Sequence, residues 1–228
     1  VRTILFNINI ILKYIIYETS YIYVLYTCIY CIYWFIYLPH WKGLEEEQPP
    51  AVAGAKKLDT PYFSQRDNYR DASRTCFSSS CAMLVETLKP GTLPGVKGDD
   101  KYVERVFYYG DTTDAYTQLK ALISFDIDAR FVQNANLQVV KDQIDKGVPV
   151  PIGILDRGPA SAPSGGGHWC CVIGYDNKGF IVHDPWGELD HASGTYISTD
   201  GSSLHYSYNI INSRWTVAHD HDGWAIIA

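Results

Sequence analysis

Apolar and polar positions divide the 228-residue chain into stretches of different character. From Thr19 to Trp41 there is no Lys, Arg, Asp or Glu, a run long enough at ~1.5 Å per residue to cross a bilayer core of roughly 30 Å. Further on, Ala82, Met83, Leu84, Val85 and Leu88 follow a Ser-rich start and precede Lys89-Pro90-Gly91, which predicts a helix over 76–88 with its stop signal. Helices are also predicted over 101–109, 116–125 and 137–146, the last followed by a short β-rich run at Gly147–Ile152. From His168 the pattern turns to strands, at 168–175, 180–183, 195–197, 204–211 and 223–227. Asp176-Asn177-Lys178-Gly179, between the first two, is a hairpin signal. Helices first and antiparallel strands later is the α+β order, with an N-terminal helical part packed on a C-terminal antiparallel sheet.

Residues 1–41 form an apolar leader rich in Ile and Tyr, with only Arg2, Lys13 and Glu18 charged. Two readings of it stand side by side. As a membrane anchor through residues 19–41, with Arg2 and Lys13 before it and Glu45–Glu47 after it, it would place the rest of the chain on the outer side. As a non-native or unstructured extension, it would leave a soluble or virion-associated protein. The Tyr residues favour the second, because they are spread through the run instead of gathering at its ends. Residues 42–57 read as a linker, with Pro49-Pro50 and small residues through Ala55, and 58–228 as the folded domain.

Charge and cysteines narrow the class. A net charge of -6 without a Lys/Arg cluster gives no electrostatic footprint for nucleic acid. The six cysteines are too unevenly placed for a disulfide framework. Cys28-x-x-Cys31 lacks the second ligand pair of a zinc site. No cofactor or metal is expected.

Cys76 enters the first predicted helix, where unsatisfied backbone N–H groups and the dipole favour a thiolate. The plainer reading is a buried cysteine or a Cys76–Cys81 disulfide. His168 opens a strand after Gly165-Gly166-Gly167 and could be presented to a cleft as a general base. Asp184 ends the next strand and could hold the imidazole in one tautomer. The register opposes this pairing: with Asn177-Lys178 as a two-residue loop, Asp184 faces Cys171, three residues from His168. A bulge, at Gly179 for instance, or a longer loop is required. Trp169 and Trp186 flank the pair as a shield from water or as core.

The run Leu58-Asp59-Thr60-Pro61-Tyr62-Phe63-Ser64-Gln65, Cys76 with Ser80, Ala82 and Met83, Gly167-His168 with Val172-Ile173-Gly174-Tyr175-Asp176, and Asp184-Pro185 together resemble the papain-superfamily cysteine peptidases related to the bacteriocin leader-processing (double-glycine) peptidases. The resemblance implies a papain-like fold and cleavage of peptide or amide bonds. It implies Cys76 as nucleophile, His168 as base, Asp184 as orienter and Gln65 in the oxyanion hole. Free-standing relatives of bacterial or phage type extend the expected substrates to cell-wall (peptidoglycan-type) peptides. The chain departs from the pattern in having Phe77-Ser78 where the family has Gly-Pro, which bears on the shape of the cleft. The alternative is a non-catalytic papain-like module, structural or wall-binding. Whether the Cys76 sulfur comes within hydrogen-bond reach of His168 separates the two.

Overall fold

The computed structural model describes residues 54–228. The leader, the anchor reading and most of the linker lie outside the described residues. Helix α1 (Cys76–Leu88) is followed by α2 (Gly98–Tyr109) and α3 (Ala115–Ser124), and these three helices form one layer. The sheet is built from β1 (Lys56–Lys57), β2 (Arg130–Ala135), β3 (Val150–Ile154), β4 (His168–Tyr175), β5 (Gly179–His183), β8 (Leu204–Ser207) and β9 (Gly223–Ile227). Its order is β2-β9-β3-β4-β5-β8, with β1 pairing β4, and every pairing is antiparallel. A separate hairpin joins β6 (Glu188–Asp190) and β7 (Thr195–Ser198). Helices α4 (Leu137–Asp145) and α5 (Tyr208–Trp215) complete the fold.

Strand β4 is buried from end to end because both faces of the sheet are covered. Trp169, Cys171 and Ile173 join Phe77, Met83, Leu84 and Tyr102 in the core under α1, α2 and α3. Cys170 and Val172 join Val140, Ile144, Ile211 and Trp215 in a second core under α4 and α5. The vicinal cysteines therefore point to opposite faces, as strand alternation requires. Both are free thiols, and so are Cys76 and Cys81, which removes the Cys76–Cys81 disulfide.

The α+β order holds, with three corrections. The predicted strand 204–211 breaks at Ser207, whose extended backbone (ψ 146°) ends β8 and leads into α5. Ile211, Arg214 and Trp215, at spacings of three and four, turn one helix face inward. Strands β2 and β6 were not expected: β2 is a half-exposed edge strand without clear alternation, and β6 is only three residues long. Lys56–Lys57, assigned to the linker, pairs with Gly174 and Tyr175 and belongs to the sheet.

Candidate active site

Cys76 is the first residue of α1. The N-cap residue, Thr75, makes no side-chain cap because its hydroxyl is engaged in the preceding loop. First-turn N–H groups of α1 are thereby left without a capping side chain, beside the thiol. The helix continues into buried Ser78, Ser79 and Ser80, whose small side chains let it lie between the sheet and α2–α3. Cys76 alone of the four described thiols is partly exposed.

His168 is buried at the start of β4, and its Nε2 lies 2.7 Å from Asp184 Oδ1. The register explains how they meet. Beyond the turn, Tyr175 pairs Phe180 and Gly174 pairs Ile181, but past a shift between Val172 and Gly174 it is Cys171 that pairs His183. One extra residue on β4 places Asp184 opposite Cys170, two residues from His168 and on the same face. The required bulge exists, and it sits in β4 and not at Gly179.

Asp184 is fully buried, and its polar surroundings hold it from several sides. Trp186 N–H donates to Oδ1 at 2.9 Å, an Asx turn set up by the Asp184-Pro185-Trp186 sequence. Tyr206 Oη donates to Oδ2 at 3.4 Å. Tyr62 Oη donates to the Asp184 carbonyl at 3.2 Å, and Asp184 N–H to the Gly201 carbonyl at 2.9 Å. A Cβ at Gly201 would run into the Asp184 carbonyl oxygen, so this close approach requires glycine. The neighbouring His183 is spent elsewhere, donating to Thr60 O and accepting from Ser203 N–H, both at 2.9 Å.

Burial acts to lower the His168 basicity, but the Asp184 carboxylate and, to a lesser extent, the nearby Cys76 thiol outweigh it. The imidazole is held well above its usual value. With Nε2 engaged by Asp184, Nδ1 is the ring atom left for Cys76. Tyr196 packs edge-on to the His168 ring with centroids 5.8 Å apart.

Gln65 lies in the short 3-10 turn Gln65–Asp67 and is buried. Its backbone N–H donates to Pro185 O at 3.0 Å, which ties it to the turn after Asp184. Its Nε2 donates to Ala72 O at 2.7 Å, while Oε1 has no partner. An amide nitrogen carries two hydrogens, so one donor remains.

A cleft of about 450 Å³ opens beside Cys76, lined by Phe77, Ile154, Gly165–Gly167, Trp169, Val217 and Trp224. Trp169 lies flat on Phe77, with centroids 3.5 Å apart and planes within 3°, and forms part of the cleft and of the core. Trp186 is instead covered by Arg66, whose guanidinium sits 4.0 Å from the ring centroid. The site thus brings together Cys76, His168 and Asp184, and attaches the Gln65 turn to the same end of the sheet. Tyr62, Gly201 and Tyr206 were not anticipated as supports of Asp184, since only tertiary packing brings them there. Among the described residues there is no cluster of three metal-binding side chains, and no helix is long and apolar enough to cross a membrane.

Solved structures with similar folds include a C39-like peptidase from Bacillus anthracis, at 13% identity and a TM-score of 0.51, covering 77% of this chain and 98% of that one. The peptidase domain of Streptococcus ComA, a bi-functional ABC transporter involved in a quorum-sensing pathway, is 17% identical with a TM-score of 0.44, covering 68% of this chain and 90% of that one. A search of the curated proteins returns no match. The model of the Peptidase_C39 like family matches residues 57–214, from β1 to Arg214 in α5. With that match over most of its length and a papain-like mixed fold, the chain belongs to the Peptidase_C39 like family of cysteine peptidases.

Proposed function

We propose that the protein cleaves peptide or amide bonds through a Cys76 thioacyl-enzyme, with His168 as base and then acid and Asp184 as its orienter. The observation that carries this is the buried His168–Asp184 pair, Nε2 to Oδ1 at 2.7 Å, near the partly exposed Cys76 thiol at the start of α1. Proton transfer from Sγ to His168 gives a thiolate–imidazolium pair stabilised by the buried carboxylate. The thiolate attacks the carbonyl carbon, His168 protonates the leaving amine, and water deprotonated by His168 then releases the acid.

Charge that develops on the carbonyl oxygen needs donors fixed in advance. The uncapped N–H groups at the start of α1 and the second Nε2 hydrogen of Gln65 fill this role. The cleft beside Cys76 supplies room for the substrate chain. Cell-wall peptides, expected from the resemblance, draw no particular support from its largely apolar walls, so the proposal stops at peptide or amide bonds. The non-catalytic alternative loses ground because a buried carboxylate orients the imidazole and Cys76, the partly exposed thiol among those described, lines the adjoining cleft.

Iodoacetamide labelling followed by peptide mapping tests this reading. Cys76 should be alkylated far faster than Cys81, Cys170 and Cys171, and His168→Ala should slow it at pH 6. An unreactive Cys76, or one indifferent to His168, would sink the proposal.

A further inference from the structure

Beneath the loop that joins Gln65 to Cys76 lies a polar network that the chemistry above does not use. Asp99, in the first turn of α2, is 1% exposed. Its Oδ2 accepts from Ser79 Oγ at 2.6 Å, and the same Ser79 oxygen accepts from Asn68 Nδ2 at 3.1 Å. The other Asn68 N–H donates to Thr75 Oγ1 at 2.8 Å, and the Thr75 hydroxyl donates to Ala72 O at 3.3 Å. Ala72 O is also the acceptor for Gln65 Nε2. One connected chain therefore runs from Asp99 through Ser79, Asn68 and Thr75 to the residue before Cys76 and to Gln65.

The side-chain donors of Ser79, Asn68 and Thr75 are all spent, yet Asp99 Oδ1 and Asn68 Oδ1 are buried without a partner. Buried acceptors left unpaired are costly, and every side chain here except Asp99 has a fixed number of hydrogens. A proton on Asp99 removes the buried charge and turns one of these unpaired acceptors into a hydroxyl donor. We propose that Asp99 is a positioning residue, which as the neutral acid fastens the Gln65–Thr75 segment to α1 and α2 and loosens that segment when it ionises. This rests on the reading of Cys76 and Gln65 given above.

The electrostatic surroundings agree. Burial, with Asp100 and Asp67 nearby, pushes the Asp99 carboxyl up to about 7, against the opposing hydrogen bond from Ser79. The cations around it are turned elsewhere. Lys97 donates to Asp67 O at 3.2 Å, and Arg70 lies over Phe107. Asp100 is tied to the same segment through Tyr69 N–H at 3.0 Å.

Two readouts on the full chain test the proposal, each with wild type, Asp99→Asn and Asp99→Leu. Hydrogen exchange of residues 65–75, corrected for intrinsic rates, should quicken several-fold in wild type as pH rises through about 7. It should stay flat in Asp99→Asn, whose amide keeps a donor at every pH. Peptide turnover should lose kcat several-fold over the same range with KM nearly constant. Asp99→Asn should keep the activity seen at pH 6 without that loss, while Asp99→Leu should be slow throughout. Wild-type exchange in 65–75 that ignores pH, or an Asp99→Asn protein that keeps the wild-type pH limb, would overturn the proposal. A pH-dependent exchange step in a protein with no turnover would leave Asp99 as inferred and refute the catalytic reading instead.

Discussion

His168 and Asp184 meet across two strands only because β4 carries one extra residue near Ile173, which moves Asp184 from opposite Cys171 to opposite Cys170 and brings Oδ1 to 2.7 Å from Nε2. The carboxylate then fixes the ring with Nε2–H toward itself and Nδ1 toward the thiol. Asp184→Ala should lower kcat by about 10²-fold or more, with a smaller change in KM. Steady-state kinetics on a quenched peptide checks this, and an unchanged kcat would remove Asp184 from the mechanism.

Gln65→Ala should lower kcat by about 10²-fold, the usual scale for one oxyanion donor. Alkylation of Cys76 by iodoacetamide develops no oxyanion and should proceed at a rate close to wild type. A parallel loss in both reactions would show that Gln65 supports the fold and not the developing charge.

Much of this site can be read along the chain, and the rest depends on packing. Cys76 is visible because a Ser-rich stretch runs straight into apolar helix spacing. The turn Asp176–Gly179 is visible because its side chain and glycine do the work locally, with Asp176 Oδ1 accepting from Lys178 N–H and Gly179 N–H. The bulge is not visible at its true place: Val172-Ile173-Gly174 reads as plain strand, and the extra residue is chosen by pairing with β5 and β1. Helix α5 was hidden for a related reason, since Tyr206, Tyr208 and Ile210 also fit a period of two until Arg214 and Trp215 are placed against the sheet.

Asp99 also predicts a pH dependence of stability. Its carboxyl, raised to about 7 in the fold, ionises near 4 in the unfolded chain, so between these values the native state holds the extra proton. Stability should therefore fall as pH rises from about 4 to about 7, by up to the order of 4 kcal/mol, and level off above. Asp99→Asn should flatten this part of the curve. Urea unfolding at successive pH values measures it, and identical slopes in the two proteins would contradict it.

Arg214 is 1% exposed, and among the described residues it forms no salt bridge with a carboxylate. Its guanidinium donates to Leu155 O, Arg157 O, Gly158 O and His191 O, binding α5 to the loop before His168 and to the turn after β6. Arg214→Met should cost about 3 kcal/mol or more, because several buried carbonyls lose their donors at once. Denaturant midpoints give the answer, and a loss below about 1 kcal/mol would mean that water takes over the cage.

The central claim is that peptide cleavage runs through the Cys76 thiolate, and the direct measurement is turnover of a quenched-peptide library by wild type and Cys76→Ala under identical conditions. Wild type should cleave members of the library, and Cys76→Ala should give no turnover while keeping the wild-type circular dichroism spectrum and melting temperature. Cleavage by Cys76→Ala at the wild-type rate would contradict the account.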